Sequence, residues 1–236
     1  MENCLKTQLK ATVNDDTLPI LNVLTIPLAQ IESGTKYCIF DGGEGCSIQI
    51  VGNGKIYSNA EGTVELQQPV SISGQYATAI YFGNVSDGDK LRINNKYGFE
   101  KFYTEVSGLI KNNAVIDPSG LISLTTIQLG WDVIAMDLDE VSKYAKNLSD
   151  IRAYTSPLLK GSIETIVENL ISLNRNDGTL NIQGYQLGIT LNGQKLFENY
   201  EDRSELFTVT FNNNTATCTW KGDTVASYDG STWTYA

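Results

Sequence analysis

The chain has 236 residues, 41% hydrophobic and 19% charged, enough for one large or two modest domains with real cores. A net charge of −10 and a pI near 4.5 argue against a surface built for the phosphate backbone of nucleic acid. No apolar run approaches the ~18 residues of a membrane span, and the absence of histidine excludes Ser-His-Asp and Cys-His nucleophilic sites and His-ligated metals.

Residues 5 to 13 alternate, with Leu5, Leu9, Ala11 and Val13 on one face and Lys6, Gln8, Lys10 and Thr12 on the other. This predicts a half-buried or edge strand, either docking to a neighbour's sheet or part of the protein's own sandwich. Asn14-Asp15-Asp16 turns, and Leu18 to Leu28, broken by Pro19 and Pro27, reads as extended and peripheral. The N-terminus, Met1 to Lys6, lacks the basic start and apolar core of a signal peptide, so synthesis in a cytosol is expected. In a reducing compartment the few, scattered cysteines (Cys4, Cys38, Cys46, Cys218) are expected as buried free thiols, the alternative being a Cys38–Cys46 bridge across a glycine-rich turn.

From Lys36 to Phe82 short β runs alternate with turn clusters. Strands are expected at Tyr37–Phe40, Ser47–Val51, Thr63–Leu66, Val70–Ile72 and Thr78–Phe82, forming a small sandwich. Lys90–Ile93 either closes that sandwich or begins the next region. Asp41-Gly42-Gly43-Glu44-Gly45 lacks the Lys-Ser/Thr of a phosphate loop and reads as a hairpin or surface loop.

The stretch from Phe99 to Gln183 repeats one pattern, with Phe99, Leu124 and Leu148 opening successive copies at a near-constant spacing. Leu124, Ile127 and Leu129, then polar Asp132 and apolar Ile134, are matched by Leu148, Ile151, Ala153, Ser156 and Leu158, and earlier by Phe99, Phe102, Thr104, Ser107 and Leu109. Leu180 and Ile182 fit as a last strand, in the places that Ile151 and Ala153 take one copy earlier. Such spacing falls in the leucine-rich-repeat range, where stacked turns bury a shared apolar stripe. The alternative is an ordinary β/α region. In the repeat frame Phe102, Ile127, Ile151 and Leu180 point inward. Strand alternation then sends Lys101, Tyr103 and Glu105, Thr126, Gln128 and Gly130, Asp150, Arg152 and Tyr154, and Thr179, Asn181 and Gln183 onto the concave face. Tyr103, Gln128, Arg152 and Tyr154 are the candidate binding residues, since Tyr and Arg dominate binding hot spots. A merely solvated sheet face is the alternative. The short polar residues Asp132, Ser156 and Ser107 are expected to bond loop backbone where the coil turns.

Ile163, Ile166, Val167, Leu170 and Ile171 predict a helix over Ile163–Leu173, capped by Ser162, and Val141–Leu148 a shorter one. Asp137, Asp139 and Glu140 form the densest acidic cluster but lack the loop a Ca²⁺ site needs, so a solvated face is expected and no metal or other cofactor is assigned. No carboxylate pair is marked out for glycoside hydrolysis, and no catalytic residue is assigned. The sequons at Asn84, Asn147 and Asn213 carry little meaning without a secretory signal. Phe207, Val209, Phe211, Ala216, Cys218 and Trp220 alternate in a closing β segment that would cap the last turn. The expected architecture is mainly β: a β-sandwich-like domain at 1–95, a short leucine-rich-repeat-like solenoid at 96–183 and a C-terminal β cap at 184–236.

Two stretches carry a resemblance. Asn3 to Asn14 with Leu18-Pro19-Ile20-Leu21 resembles the opening of small structural proteins from tailed phages of gut Bacteroidales, including crAss-like phages. Gly161 to Val167 with Asp177 to Ile182 resembles the final leucine-rich repeat of proteins in that group. The resemblance implies a non-enzymatic virion surface protein, a head-fibre or capsid-decorating subunit located in the virion. Its partners would be other capsid or fibre subunits, itself as a homo-oligomer (dimer or trimer), and a host surface glycan or protein, with neither nucleic acid nor membrane among them. The aromatic tail (Trp220, Tyr228, Trp233, Tyr235) suits an interface. The other reading is a bacterial carbohydrate- or protein-binding module.

Overall fold

The computed structural model describes residues 22–73, 79–104, 108–130 and 132–236. The expected strand at Leu5–Val13, the turn after it, and Cys4, Glu105 and Ser107 lie outside these residues. The protein is mainly β, as expected, with three sheets among the described residues.

The first seven strands are β1 (Val23–Pro27), β2 (Thr35–Gly42), β3 (Ser47–Val51), β4 (Lys55–Tyr57), β5 (Val70–Ser71), β6 (Ala79–Gly83) and β7 (Lys90–Asn94). Strands β1, β7, β3 and β5 pair antiparallel in that order as a small sheet, while β2, β6 and β4 form one end of an eleven-stranded sheet. Lys90–Ile93 therefore belongs to the small sheet, between β1 and β3. The extended segment before Leu28 is an edge strand, yet it buries Leu24, Ile26 and Leu28. Thr63–Leu66 does not form a strand. The Asn59 side chain accepts hydrogen bonds from the N–H groups of Thr63 and Val64, both at 3.1 Å, so donors that a ladder would use are spent on a turn. Only Glu65 bridges to Tyr57, on β4. Asp89 organises the loops opposite, its carboxylate accepting from the N–H groups of Gly54 (2.8 Å), Ser86 (3.0 Å) and Asn53 (3.1 Å).

The repeating region begins with β8 (Phe99–Thr104), followed by β9 (Ala114–Val115), β10 (Thr126–Leu129), β11 (Ile134–Asp137), helix α1 (Leu138–Ser142), β12 (Asp150–Ala153), β13 (Leu159–Ser162), helix α2 (Ile163–Ser172), β14 (Thr179–Gly184) and β15 (Gly188–Leu191). Strands β8, β10, β12 and β14 pair in parallel within the large sheet, and β9, β11, β13 and β15 pair in parallel within a second one. The chain thus alternates between two ladders, adding a strand to each on every pass. Phe102, Ile127, Ile151 and Ile182 are register partners and all are buried.

That alignment corrects the last turn. Ile182, not Leu180, stands beside Ile151, so the last copy is longer than the ones before it. Leu180 is one full strand period before Ile182, so it still points inward and is buried. The frame also slips on the second ladder, where Leu159 is buried beside Met136 and Leu158 is half-buried.

Of the short polar residues expected to bond loop backbone, Asp132 does so, and Ser156 bonds the first residue of β11. Asp132 Oδ1 accepts from Gly108 N–H (3.0 Å) and Ile110 N–H (3.2 Å), joining one loop to the loop of the preceding turn. Ser156 is buried, its hydroxyl donating to the Ile134 carbonyl at 3.4 Å. A second pair went unread in the sequence: Thr125 and Ser149 donate their hydroxyls to the carbonyls of Glu100 (3.1 Å) and Thr125 (3.2 Å), again one turn back.

Helix α2 starts at its expected cap, with Ser162 Oγ accepting from Thr165 N–H. Helix α1 is earlier and shorter than Val141–Leu148, because Asp137 caps it by accepting from Asp139 and Glu140 N–H groups. The acidic cluster is accounted for in the same way, since Asp139 also accepts from Ser162 N–H at 2.9 Å.

After β16 (Gln194–Lys195), the strands β17 (Phe207–Asn212), β18 (Thr215–Trp220), β19 (Asp223–Tyr228) and β20 (Trp233–Tyr235) extend the large sheet antiparallel from β14, covering the last parallel strand. The large sheet runs unbroken across residues 95/96 and 183/184. At the first boundary β8 pairs with β2 on one side and β10 on the other, and Phe40, Phe82, Phe99 and Phe102 pack with ring centroids 5.7–6.5 Å apart. The second boundary falls within β14, and β15 continues the repeating path beyond it. One hydrophobic core spans all three segments. Cys38, Cys46 and Cys218 are free and buried. Among the described residues no helix is long and apolar enough to cross a membrane.

Candidate functional site

Parallel register places one outward side chain of each repeat strand in a single row: Tyr103, Gln128, Arg152 and Gln183. Adjacent strands lie about 4.8 Å apart, so the row presents a polar group at each such step. A second row beside it holds Lys101, Thr126, Asp150 and Asn181, and continues to Thr208 on β17, whose hydroxyl donates to Asn181 Oδ1 at 3.1 Å. Tyr154 follows β12 directly and is 39% exposed. All four predicted residues therefore share one face.

Three of them, Gln128, Arg152 and Tyr154, line a groove of ≈ 350 Å³ together with Gln183, Arg203 and Ser204. It lies at the C-terminal ends of β10, β12 and β14, where Leu129, Ala153 and Gly184 close the strands. Tyr103 is the partner of Gln128 on β8, outside the groove's lining. Thr179 sits one period before the groove, because the fourth strand is shifted by one strand period from its expected frame. Asn181 and Gln183 take the places beside Asp150 and Arg152, and Tyr185 follows β14 as Tyr154 follows β12.

The wall of the groove is a 3₁₀ turn, Tyr200–Ser204. Arg203 lies with its guanidinium carbon 3.8 Å from the Tyr200 ring centroid and donates from Nη1 to the Tyr200 carbonyl at 3.0 Å. Tyr200 packs edge-on to Tyr185 at 5.5 Å. A side-chain hydrogen bond with Tyr200 raises the Tyr154 phenol above its ordinary pKa, and the Arg203 charge works against that shift. Gln183 Nε2 donates to the Ser204 carbonyl at 3.1 Å, tying the turn to β14. Arg152 is fixed by a 2.9 Å bond from Nε to Asp150 Oδ1. No signal in the sequence marked Tyr185, Tyr200 or Arg203, because a single 3₁₀ turn carries no periodicity and its place against β14 is set by tertiary packing.

The groove's chemistry is hydrogen bonding, cation placement and aromatic stacking. Its lining holds no carboxylate and no thiol. The buried thiols elsewhere are held protonated, with desolvation lifting Cys46 to about 11 and Cys218 to about 12, far from the thiolate that nucleophilic attack requires. Among the described residues no group of three or more Cys, Asp or Glu side chains is placed to hold a metal ion. No protein-family model matches the chain, and comparison with curated proteins and with solved structures finds no match.

Proposed function

We propose that this chain is a non-enzymatic virion surface component, a head-fibre or capsid-decorating subunit, that binds its target through the outward face of its parallel strands. The observation that carries the binding role is the row Tyr103, Gln128, Arg152, Gln183 with Tyr154 beside it, an aromatic and hydrogen-bonding surface raised on paired strands. Side chains on interior strands keep their geometry, so less order is lost on binding than on a loop. The alternation between two parallel ladders supports the reading of residues 96–183 as a short leucine-rich-repeat-like solenoid, a scaffold whose repeats present such rows. The virion setting rests on the resemblance of residues 3–21 and 161–182 to phage structural proteins. In that setting the subunit docks to capsid or fibre proteins and assembles as a dimer or trimer. The same face would equally serve a bacterial carbohydrate- or protein-binding module.

Immunogold labelling of purified phage particles with antibody to this chain separates the two settings: label on particles is expected, and its absence favours the bacterial module. The face itself is tested with Tyr103→Ala combined with Arg152→Ala. Thermal melts should show an intact fold, since neither side chain enters the core. Binding to host cells should fall by about tenfold or more, the scale of losing one hot-spot pair. A folded double variant that binds host cells normally overturns the assignment of the face.

A further inference from the structure

The chain is acidic, with 27 Asp and Glu against 17 Lys and Arg. Its only arginines are Arg92, Arg152, Arg175 and Arg203. Two of the four line the same groove, and no acidic side chain lines it. The other grooves described on the surface mix both signs: one of ≈ 570 Å³ has Lys160 among Asp117, Asp137 and Asp139, one of ≈ 600 Å³ sets Lys160 and Lys195 with Glu198, and one of ≈ 530 Å³ sets Lys146 and Arg175 with Asp177. Among these grooves this one alone sets its cations without a carboxylate in the lining, which suits an anionic ligand group.

We infer that the groove takes a saccharide bearing a carboxylate, such as a hexuronic or sialic acid unit of a surface glycan. The inference rests on the reading of this face as the binding surface and names its ligand class. Both guanidinium groups are already positioned. Arg152 is held through Nε by Asp150, which leaves its terminal nitrogens to a ligand, and Arg203 is stacked on Tyr200. Planar, pre-set forks of this kind match a carboxylate with two parallel hydrogen bonds. Asp150 offsets one of the two charges, so the site carries about one net positive charge, suited to a single carboxylate and unsuited to a polyphosphate.

The rest of the lining suits neutral hydroxyl groups. Gln128 offers both donors and an acceptor, and Gln183, having given a proton to the Ser204 carbonyl, keeps its own carbonyl as an acceptor. Tyr154, which lines the groove and is 39% exposed, supplies an aromatic ring for the apolar side of a sugar. The volume of ≈ 350 Å³ lies in the range of small-ligand sites. An extended acidic peptide is the poorer fit. Peptides dock on sheets by adding a strand to an open edge, whereas β10, β12 and β14 are paired on both sides and have no free backbone to offer.

The test is binding of the purified full-length chain, by glycan array and titration calorimetry, to hexuronate and sialic-acid oligosaccharides and to their methyl esters. The acids should bind, and the esters should bind about tenfold or more weakly, the cost of one charge-assisted bidentate contact. Arg152→Gln and Arg203→Gln should each weaken the acid by a similar factor and leave the ester within about twofold, with unchanged thermal melts. Esters binding as tightly as acids, no acid binding at all, or selective capture of acidic peptides from a synthetic library would each overturn the inference. If host-cell binding is lost in the Tyr103→Ala, Arg152→Ala variant while no acidic saccharide binds, the face stands and the ligand class is wrong. If acidic saccharides bind but that variant still attaches to cells normally, the ligand class stands and the face is not what attaches the protein to cells.

Discussion

Asp132 shows how a single residue can hold a turn in place at a cost. Burial pushes its carboxyl above the ordinary range, against the pull of the Gly108 and Ile110 N–H groups that it accepts from. A raised folded pKa means that the unfolded chain ionises first. Stability is therefore lost as pH rises from below the ordinary value of about 3.8 to the raised one, and is level above it. Asp132→Asn keeps an acceptor and does not titrate. Urea melts at pH 3, 5 and 7 should show the stability difference moving in favour of Asp132→Asn as pH rises. Movement in the opposite direction would mean that the loop N–H groups outweigh burial. Asp132→Ala strands both donors and should cost about 1–3 kcal/mol at neutral pH. The position of this residue was legible, because a short polar side chain recurs at a fixed offset from the leucines. Its strain was not, because burial depends on loops from the previous turn. Arg203 and Tyr200 were illegible for a related reason: nothing local says that a short turn well beyond β14 will fold back beside Arg152.

Helix α2 shows the same division within one element. Its existence and its cap followed from Ser162 and the inward residues Ile163, Ile166, Val167 and Leu170, all within one stretch of chain and all buried. Glu164 stands in the first turn of this helix. In the fold, burial pushes its carboxyl up, but bonds from the Asn192 N–H, the Ser162 hydroxyl and the hydroxyl of Tyr235, far along the chain, outweigh that and hold it low. A lowered folded pKa gives stability that is present above the ordinary value of about 4.5 and lost as pH falls through the folded value. Thermal melts should place Glu164→Gln below the natural protein at pH 7, with the gap closing between pH 5 and pH 3. A gap that does not depend on pH would assign the loss to geometry alone. Ser162→Ala should cost about 1 kcal/mol through the missing cap. Helix α1 was misplaced because Val141, Ala145 and Leu148 keep a helical spacing and are all buried, although the helix proper ends at Ser142.

At the scale of the whole molecule, mainly β composition, the recurring strands that pair in parallel and the covering tail strands were readable from pattern. The continuity of the large sheet was not, since it depends on pairings such as β2 with β8 that join distant parts of the chain, and no local pattern encodes such a pairing. That continuity makes the footprint of the outward face a countable quantity. Thr126 lies beside Asp150, so the segment 126–149 is one complete increment, beginning and ending at matched points of the ladder. A second copy of that segment inserted after Ser149 should fold as one more strand in each of the two ladders with its short helix, lengthening each ladder by about 4.8 Å and adding a second Gln to the row. Small-angle scattering and a melt no lower than the natural protein's would show this; an aggregated or unfolded product would mean that neighbouring turns recognise one another individually. A molecule assembled this way lengthens its reach by duplicating a coding segment, with both ends of the sheet left untouched.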